Sequence, residues 1–248
     1  VTARRQTVVV ANIRSTPRMS RKEERAAVQG VFEWAKTLDA DFVFGCEIDH
    51  PRLRRIWRNR AHAHGFSTAG AKRGSENTIS VKNSEWTQKS FVSKFISRGV
   101  DHITPTRTVA IEDVVDNAST WNLQRLMSTH LVSQWQEYAR QYASQWNLRN
   151  RLGRRSVKRL SAVIEDGLAK GYVCVLGGDL NALVDIQFDH DQVQLVGVEA
   201  KARNNLGKMM QVVAVAPEGK TVRLIRNYTQ APVCTDHPYR AALYEVTL

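Results

Sequence analysis

Cysteine is scarce in this chain of 248 residues: Cys46, Cys174 and Cys234 are odd in number, far apart and without CxxC spacing. That excludes a disulfide framework or a structural zinc site as the organising device. Cys46 and Cys174 stand in apolar, strand-like runs, which fits buried thiols in a reducing compartment. Long apolar runs are also missing. No stretch approaches the ~20 consecutive apolar residues that a membrane-spanning helix needs. Residues 1–10 place Arg4 and Arg5 before only Val8, Val9 and Val10, too short a run for the core of an export signal. The expectation is therefore an intracellular, cytoplasmic protein. Repeats, low-complexity tracts and Pro/Ser-rich linkers are absent, so a single domain over 1–248 is expected.

Acidic side chains are in deficit, with 24 Asp and Glu against 36 Lys and Arg, a formal charge of +12. The pI is about 10.0. This excludes a surface built to bind cations. It points to polyanions: nucleic acid, an anionic membrane surface or phosphorylated ligands. With 42% apolar and 24% charged residues, the composition is that of a soluble globular protein able to bury a sizeable core.

The pattern mixes strands and helices. The run Thr7-Val8-Val9-Val10-Ala11-Asn12-Ile13 reads as a buried strand with a wet C-terminal end. Ser20 followed by Glu23 is a capping box, and a helix follows to about Leu38. Residues 41–47 form a second strand that ends on a carboxylate, and a helix over about 51–62 follows. Strands are expected at 78–82, 91–96, 106–111, 121–131, 172–176, 211–216, 221–225 and 242–246. Residues 135–168 carry helical spacing, with a break expected at Gly153 and a stop at Gly171. Layered sheets covered by helices accommodate this order better than a bundle or an all-β barrel.

Chemistry-bearing residues recur where the apolar strands end: Asn12, Glu47, His130, Asp179 with Asn181, and Asp236 with His237. Strand ends in mixed folds converge on one rim, where ligands bind. Carboxylate and amide oxygens suit Mg²⁺ or Mn²⁺. Amides and imidazoles suit phosphate oxygens, and a carboxylate can orient or deprotonate a water.

The runs Val9-Val10-Ala11-Asn12-Ile13, Phe44-Gly45-Cys46-Glu47, Ser128-Thr129-His130-Leu131, Gly177-Gly178-Asp179-Leu180-Asn181 and Thr235-Asp236-His237-Pro238 occur in this order. Together they resemble the endonuclease/exonuclease/phosphatase superfamily, with the pancreatic-type deoxyribonuclease fold. The resemblance spans nearly the whole chain and implies an α/β (α+β) four-layer sandwich, two packed, mostly antiparallel sheets flanked by helices. It also implies metal-dependent phosphoester cleavage. By motif, Glu47 would be the principal metal ligand, with Asn12 and Asp236 near the ion. Asp179 would orient or activate the water, and Asn181 would hold a phosphate oxygen. His237 would contact the scissile phosphate, and His130 would hydrogen-bond the phosphate or assist the leaving group. Three positions depart from the family pattern. Cys46 replaces the usual glutamine, Ala11 the usual tryptophan, and Met210 stands where a histidine-orienting aspartate is expected.

Plainer readings compete for other features. Asp185, Asp189, His190 and Asp191 read as a solvated acidic loop before a second metal site. His62 and His64 would not share a helix face. Ser133 lacks a nucleophile-and-base signature. Trp135, Tyr138, Tyr142 and Trp146 read as core. Two basic clusters carry more weight: Arg52, Arg54, Arg55, Arg58 and Arg60 directly after Glu47, and Arg149, Arg151, Arg154, Arg155, Lys158 and Arg159. Arginine dominates both, which suits bidentate phosphate contact.

The leading reading is a Mg²⁺- or Mn²⁺-dependent nuclease, a phosphoric diester hydrolase acting on DNA before RNA, monomeric and without a transmembrane segment. The rivals are a phosphatase or phosphodiesterase on phosphoinositides, phospholipid head groups or nucleotides, and a nucleic-acid-binding module of the same fold with little or no catalysis.

Overall fold

The structure, a computed structural model, describes residues 2–13, 19–69, 76–101, 104–132, 144–182, 185–197, 210–235 and 237–248. The order of elements is β1(Ala3–Asn12), α1(Arg21–Thr37), β2(Phe42–Cys46), α2(Pro51–Ala63), β3(Phe66–Ala69), β4(Thr78–Lys82), β5(Trp86–Ser97), β6(Arg107–Asp116), β7(Ser119–His130), α3(Trp146–Ala169), β8(Val173–Asp179), β9(Gln192–Val196), β10(Met210–Val215), β11(Thr221–Gln230) and β12(Tyr239–Thr247).

Alternation of side chains along the strands divides the apolar residues among three clusters. Val8, Val10, Phe42 and Phe44 face Leu126, Val175 and Val212 between the two sheets. Val9, Ala11 and Val43 point the other way, under Val28, Val31 and Phe32 of α1 and Leu53 and Trp57 of α2. Met127, Cys174 and Leu176 lie under Leu160 and Ile164 of α3. The result is the expected four-layer sandwich, with helices on the outer face of each six-stranded sheet.

The sheet orders are β11-β12-β1-β2-β4-β3 and β5-β6-β7-β8-β10-β9. Every pairing is antiparallel except one per sheet: β1 with β2, and β7 with β8. Each parallel pair is joined by a connection that contains a helix, as parallel geometry demands. Asn12 lies beside Cys46 at the end of one parallel pair, and His130 beside Asp179 at the end of the other.

Close approach on two sides explains the glycines before Asp179: a Cβ on Gly177 would fall 2.8 Å from the Phe44 ring of the other sheet, and Gly178 is crowded by the neighbouring strand β7. Gly178 has φ +143°, and a Cβ there would fall 1.9 Å from the Thr129 carbonyl oxygen. A side chain would push β8 off β7 at the residue before the carboxylate.

The capping box holds: Ser20 Oγ accepts from the Glu23 amide, and the Glu23 carboxylate accepts from Ser20 N. The helix break expected at Gly153 does not occur, and α3 runs unbroken from Trp146 to Ala169 with Gly153 buried in its packed face. One helical glycine costs about 1 kcal/mol, less than the packing of Leu152, Leu160 and Ile164 supplies. Gly171, at φ +78°, does end the helix, and Tyr172 N donates to the Gly167 carbonyl. The expected stop thus has the left-handed geometry that favours glycine. Several strands run further than expected, β5, β6 and β11 most of all, and β9 at 192–196 was not anticipated. Ser133, Trp135, Tyr138 and Tyr142 lie outside the described residues. No described helix is long and apolar enough to cross a membrane.

Candidate active site

The two parallel strand pairs end at one place, and their terminal residues meet across the gap between the sheets. Asn12 Nδ2 donates to Asp179 Oδ2 at 2.9 Å, a bond from one sheet to the other. Beneath it, the Cys46 thiol donates to the Thr129 carbonyl at 3.3 Å and Ser128 Oγ to the Gly45 carbonyl at 3.4 Å. Burial holds the Cys46 thiol well above its ordinary pKa. The residue in the usual glutamine position is therefore a protonated staple between the sheets, not a nucleophile.

Asp179 is the centre of the arrangement and is 2% exposed. Its Oδ1 accepts from the Asn181 amide at 3.1 Å. Its Oδ2 lies 3.9 Å from His130 Nε2 and 3.9 Å from His237 Nδ1. Asn181 has φ +48°, and its Nδ2 donates to the Leu131 carbonyl at 2.9 Å. Glu47 also takes a left-handed backbone, φ +57°. This turn follows the end of β2, and the Glu47 side chain keeps 25% of its surface exposed. Uncommon backbone of this kind clusters at functional sites.

His130 is held by residues that sequence reasoning missed. Its Nδ1 lies 2.9 Å from Arg107 Nη1, 3.4 Å from Glu76 Oε2 and 3.6 Å from Glu47 Oε1. Arg107 Nη1 also donates to Glu76 Oε1. Burial and the Arg107 charge push the imidazole down, but Glu76 and Asp179 outweigh them and leave its pKa raised. Burial pushes Glu76 up, and His130 with Arg107 more than reverses that, so its carboxyl is held below the usual range. Neither residue sits in a recognisable motif. Arg107 arrives because β6 starts where antiparallel β7 ends, and Glu76 because Ile48 N bonds its carbonyl. The only sequence signal is a lone arginine at a strand start.

Met210 is the register partner of Asp179 across β10 and β8, and its side chain is buried in the inter-sheet core. That strand thus brings a thioether, not a carboxylate, to the place beside Asp179. Asp236 lies outside the described residues.

Among the described residues, no three His, Cys, Asp or Glu side chains form a metal cluster. Beside the Asp179 and Glu76 carboxylates, the rim offers the Glu47 carboxylate and the Asn12 amide oxygen. Asn12 Oδ1 is buried without a hydrogen-bond partner. An orphaned hard oxygen of this kind, on the same rim as the partly exposed Glu47 carboxylate, fits a Mg²⁺- or Mn²⁺-type cation. At the acidic loop, His190 lies 3.9 Å from Glu165 of α3.

The basic residues divide. Arg52 is bidentate on Glu24 of α1, at 2.7 and 2.5 Å, and Arg54 Nε donates to the Ile48 carbonyl at 3.0 Å. Both brace the loop that carries Glu47. Arg55 and Arg58 are exposed on α2, and Arg154 and Arg155 on α3. Arg155 lines a cleft with Arg98, Arg159 and Phe95, and Phe95 is half-exposed beneath the Arg159 guanidinium.

Sheets and helices together have the fold seen in solved structures of endonuclease/exonuclease/phosphatase proteins. Among solved structures, the chain is similar to an endonuclease/exonuclease/phosphatase family protein from Bacteroides thetaiotaomicron, with TM-score 0.70, 10% identity and 100% of both chains covered. It is similar to D. rerio TDP2 in complex with a single-strand DNA product, with TM-score 0.68, 13% identity, and 97% and 98% of the two chains covered. A mannosyl-6-phosphatase from Bacteroides thetaiotaomicron matches with TM-score 0.66 and 11% identity, over 98% of this chain and 100% of that one. No protein-family model matches the sequence, and no curated protein matches it.

Proposed function

We propose that the protein is a divalent-metal-dependent phosphodiesterase that hydrolyses nucleic acid, DNA before RNA, by attack of water on phosphorus. The observation that carries this reading is the meeting of Asn12, Glu47, His130, Asp179 and His237 at one rim between the sheets. Asp179, fixed by Asn12 and the Asn181 amide, orients the attacking water and takes up its proton. His130 and His237 stabilise charge on the phosphate oxygens, and Asn181 adds a polar group beside them. Glu47 and the Asn12 amide oxygen hold the cation, with Asp236 as a further candidate ligand. A bound Mg²⁺ or Mn²⁺ would supply Lewis-acid stabilisation of the phosphate charge. The exposed arginines of α2 and α3 support a long anionic substrate, as does the DNA complex of the D. rerio neighbour.

The mannosyl-6-phosphatase neighbour favours one second reading, a phosphatase of small phosphorylated ligands. Supercoiled plasmid, single-stranded DNA, RNA and phosphorylated sugars, each with Mg²⁺, Mn²⁺ or EDTA, separate the two. We expect plasmid nicking that EDTA abolishes and that Glu47→Gln slows by about 100-fold. Nicking that persists in EDTA would refute the metal-dependent mechanism. Phosphate release from sugars with plasmid left intact would establish the second reading instead.

A further inference from the structure

The folded chain builds an arginine-lined cleft that neither the motifs nor the site requires. Arg21 and Arg25 of α1 and Arg52, Arg55 and Arg60 of α2, with Ile56 and Asn59, surround a space of about 260 Å³. Sequence separates the two groups, and only the packing of α1 against α2 joins them. Arg52 is neutralised by Glu24. Among the described residues, Arg21, Arg25, Arg55 and Arg60 have no carboxylate partner. Helix α2 has no acidic residue at all. On α1, Glu23 is tied into the capping box and Glu33 accepts from Gln29.

Four like charges around one concavity repel each other. An anion entering the cleft relieves that repulsion and meets planar donors suited to bidentate phosphate contact. We propose that this cleft binds consecutive backbone phosphates of a nucleic-acid strand outside the catalytic rim. The inference rests on the nucleic-acid reading above and extends it to Arg21 and Arg25 of α1, which join the α2 arginines in one cleft.

Position supports it. Both helices start from the rim that carries the site, α1 after the Asn12 end of β1 and α2 after the Glu47 end of β2. From Arg52 to Arg60 the helix rises about 12 Å. That is roughly three nucleotides at the ~3.4 Å axial rise per nucleotide of a duplex strand. A lipid surface fits less well. The cleft is concave, and among the described residues the exposed large apolar ones, Val92, Phe95, Ile225 and Leu248, are on neither helix, so no described apolar anchor accompanies the charge.

The test is binding of a labelled single-stranded oligonucleotide to the full chain in EDTA over a range of salt, so that turnover plays no part. Arg21→Ser/Arg25→Ser and Arg55→Ser/Arg60→Ser are compared with the parent. Each pair should weaken binding about tenfold or more and reduce the slope of log K against log salt by about 1.4, at ~0.7 per phosphate contact. Hydrolysis of a small phosphodiester with Mg²⁺ should stay unchanged in Arg21→Ser/Arg25→Ser, and thermal unfolding controls for the fold. Unchanged affinity and slope in both variants would overturn the proposal. So would loss of binding only to vesicles containing anionic lipid, which would assign the cleft to a membrane. If the oligonucleotide result holds while the parent cleaves nothing, the cleft stands and the hydrolase reading falls.

Discussion

Asp179→Asn is expected to slow metal-dependent plasmid cleavage by about 1,000-fold, within the range of a lost general base or water-orienting group. The substitution keeps shape and removes charge. Asp179 Oδ2 accepts from Asn12 Nδ2, and Oδ1 accepts from the Asn181 amide. An asparagine offers one acceptor oxygen to these two donors, so one donor loses its partner at a cost of about 1–3 kcal/mol. The amide also removes the negative charge that lies 3.9 Å from both His130 Nε2 and His237 Nδ1. His130 loses one of the attractions that hold its pKa up. Single-turnover cleavage, measured beside thermal unfolding and oligonucleotide affinity, separates the effects. A catalytic role predicts a collapsed rate, a modest drop in melting temperature, and affinity that holds or rises with the negative charge gone. Cleavage within a few-fold of the parent, corrected for the folded fraction, would show that Asp179 is only a structural tie between the sheets.

The features legible in the sequence were those with a local cause. β2 reads as a buried strand because Phe42, Val43 and Phe44 are apolar on both faces, and the sheet and helix layers bury both. The start of α1 was readable because a capping box needs only Ser20 and Glu23. Asn12, Glu47, His130 and Asp179 could be assembled in advance because each ends a strand, and strands of parallel pairs end together. What the sequence concealed depends on register or on packing between distant segments. Glu76 and Arg107 reach His130 only through the pairing of β6 with β7 and a backbone bond from Ile48. The arginines of α2 were visible as a run, but their division was not. Whether Arg52 pairs with Glu24 or Arg55 faces an open cleft is decided by α1, far away in sequence. Gly153 misled because helix propensity is a weak local preference that the buried face of α3 overrides.

Glu112→Gln should stabilise the protein, and the gain should grow with pH. Glu112 lies on β6 between Ala110 and Val114, sharing their inward face in the core between the sheets, and is 0% exposed. Neither carboxyl oxygen has a hydrogen-bond partner of normal geometry. Burial pushes its pKa up to about 9, Gln88 offsets only part of that, and the Asp113 charge adds to it. The folded form therefore holds a proton that the unfolded chain, at the ordinary 4.5, releases. A raised folded pKa contributes fully to stability below the unfolded pKa, and the contribution is lost as pH rises towards the folded pKa. Between about pH 5 and about pH 7.5 the parent should lose roughly 3 kcal/mol through this one group. Glutamine has the same shape and nothing to titrate, so it escapes the loss and retains only the cost of a buried amide. Urea unfolding of both proteins across that pH interval measures the difference directly. Every other titrating group is common to the pair, so their stabilities should diverge as pH rises. Parallel curves would mean that Glu112 is ionised in the folded core and has found a partner.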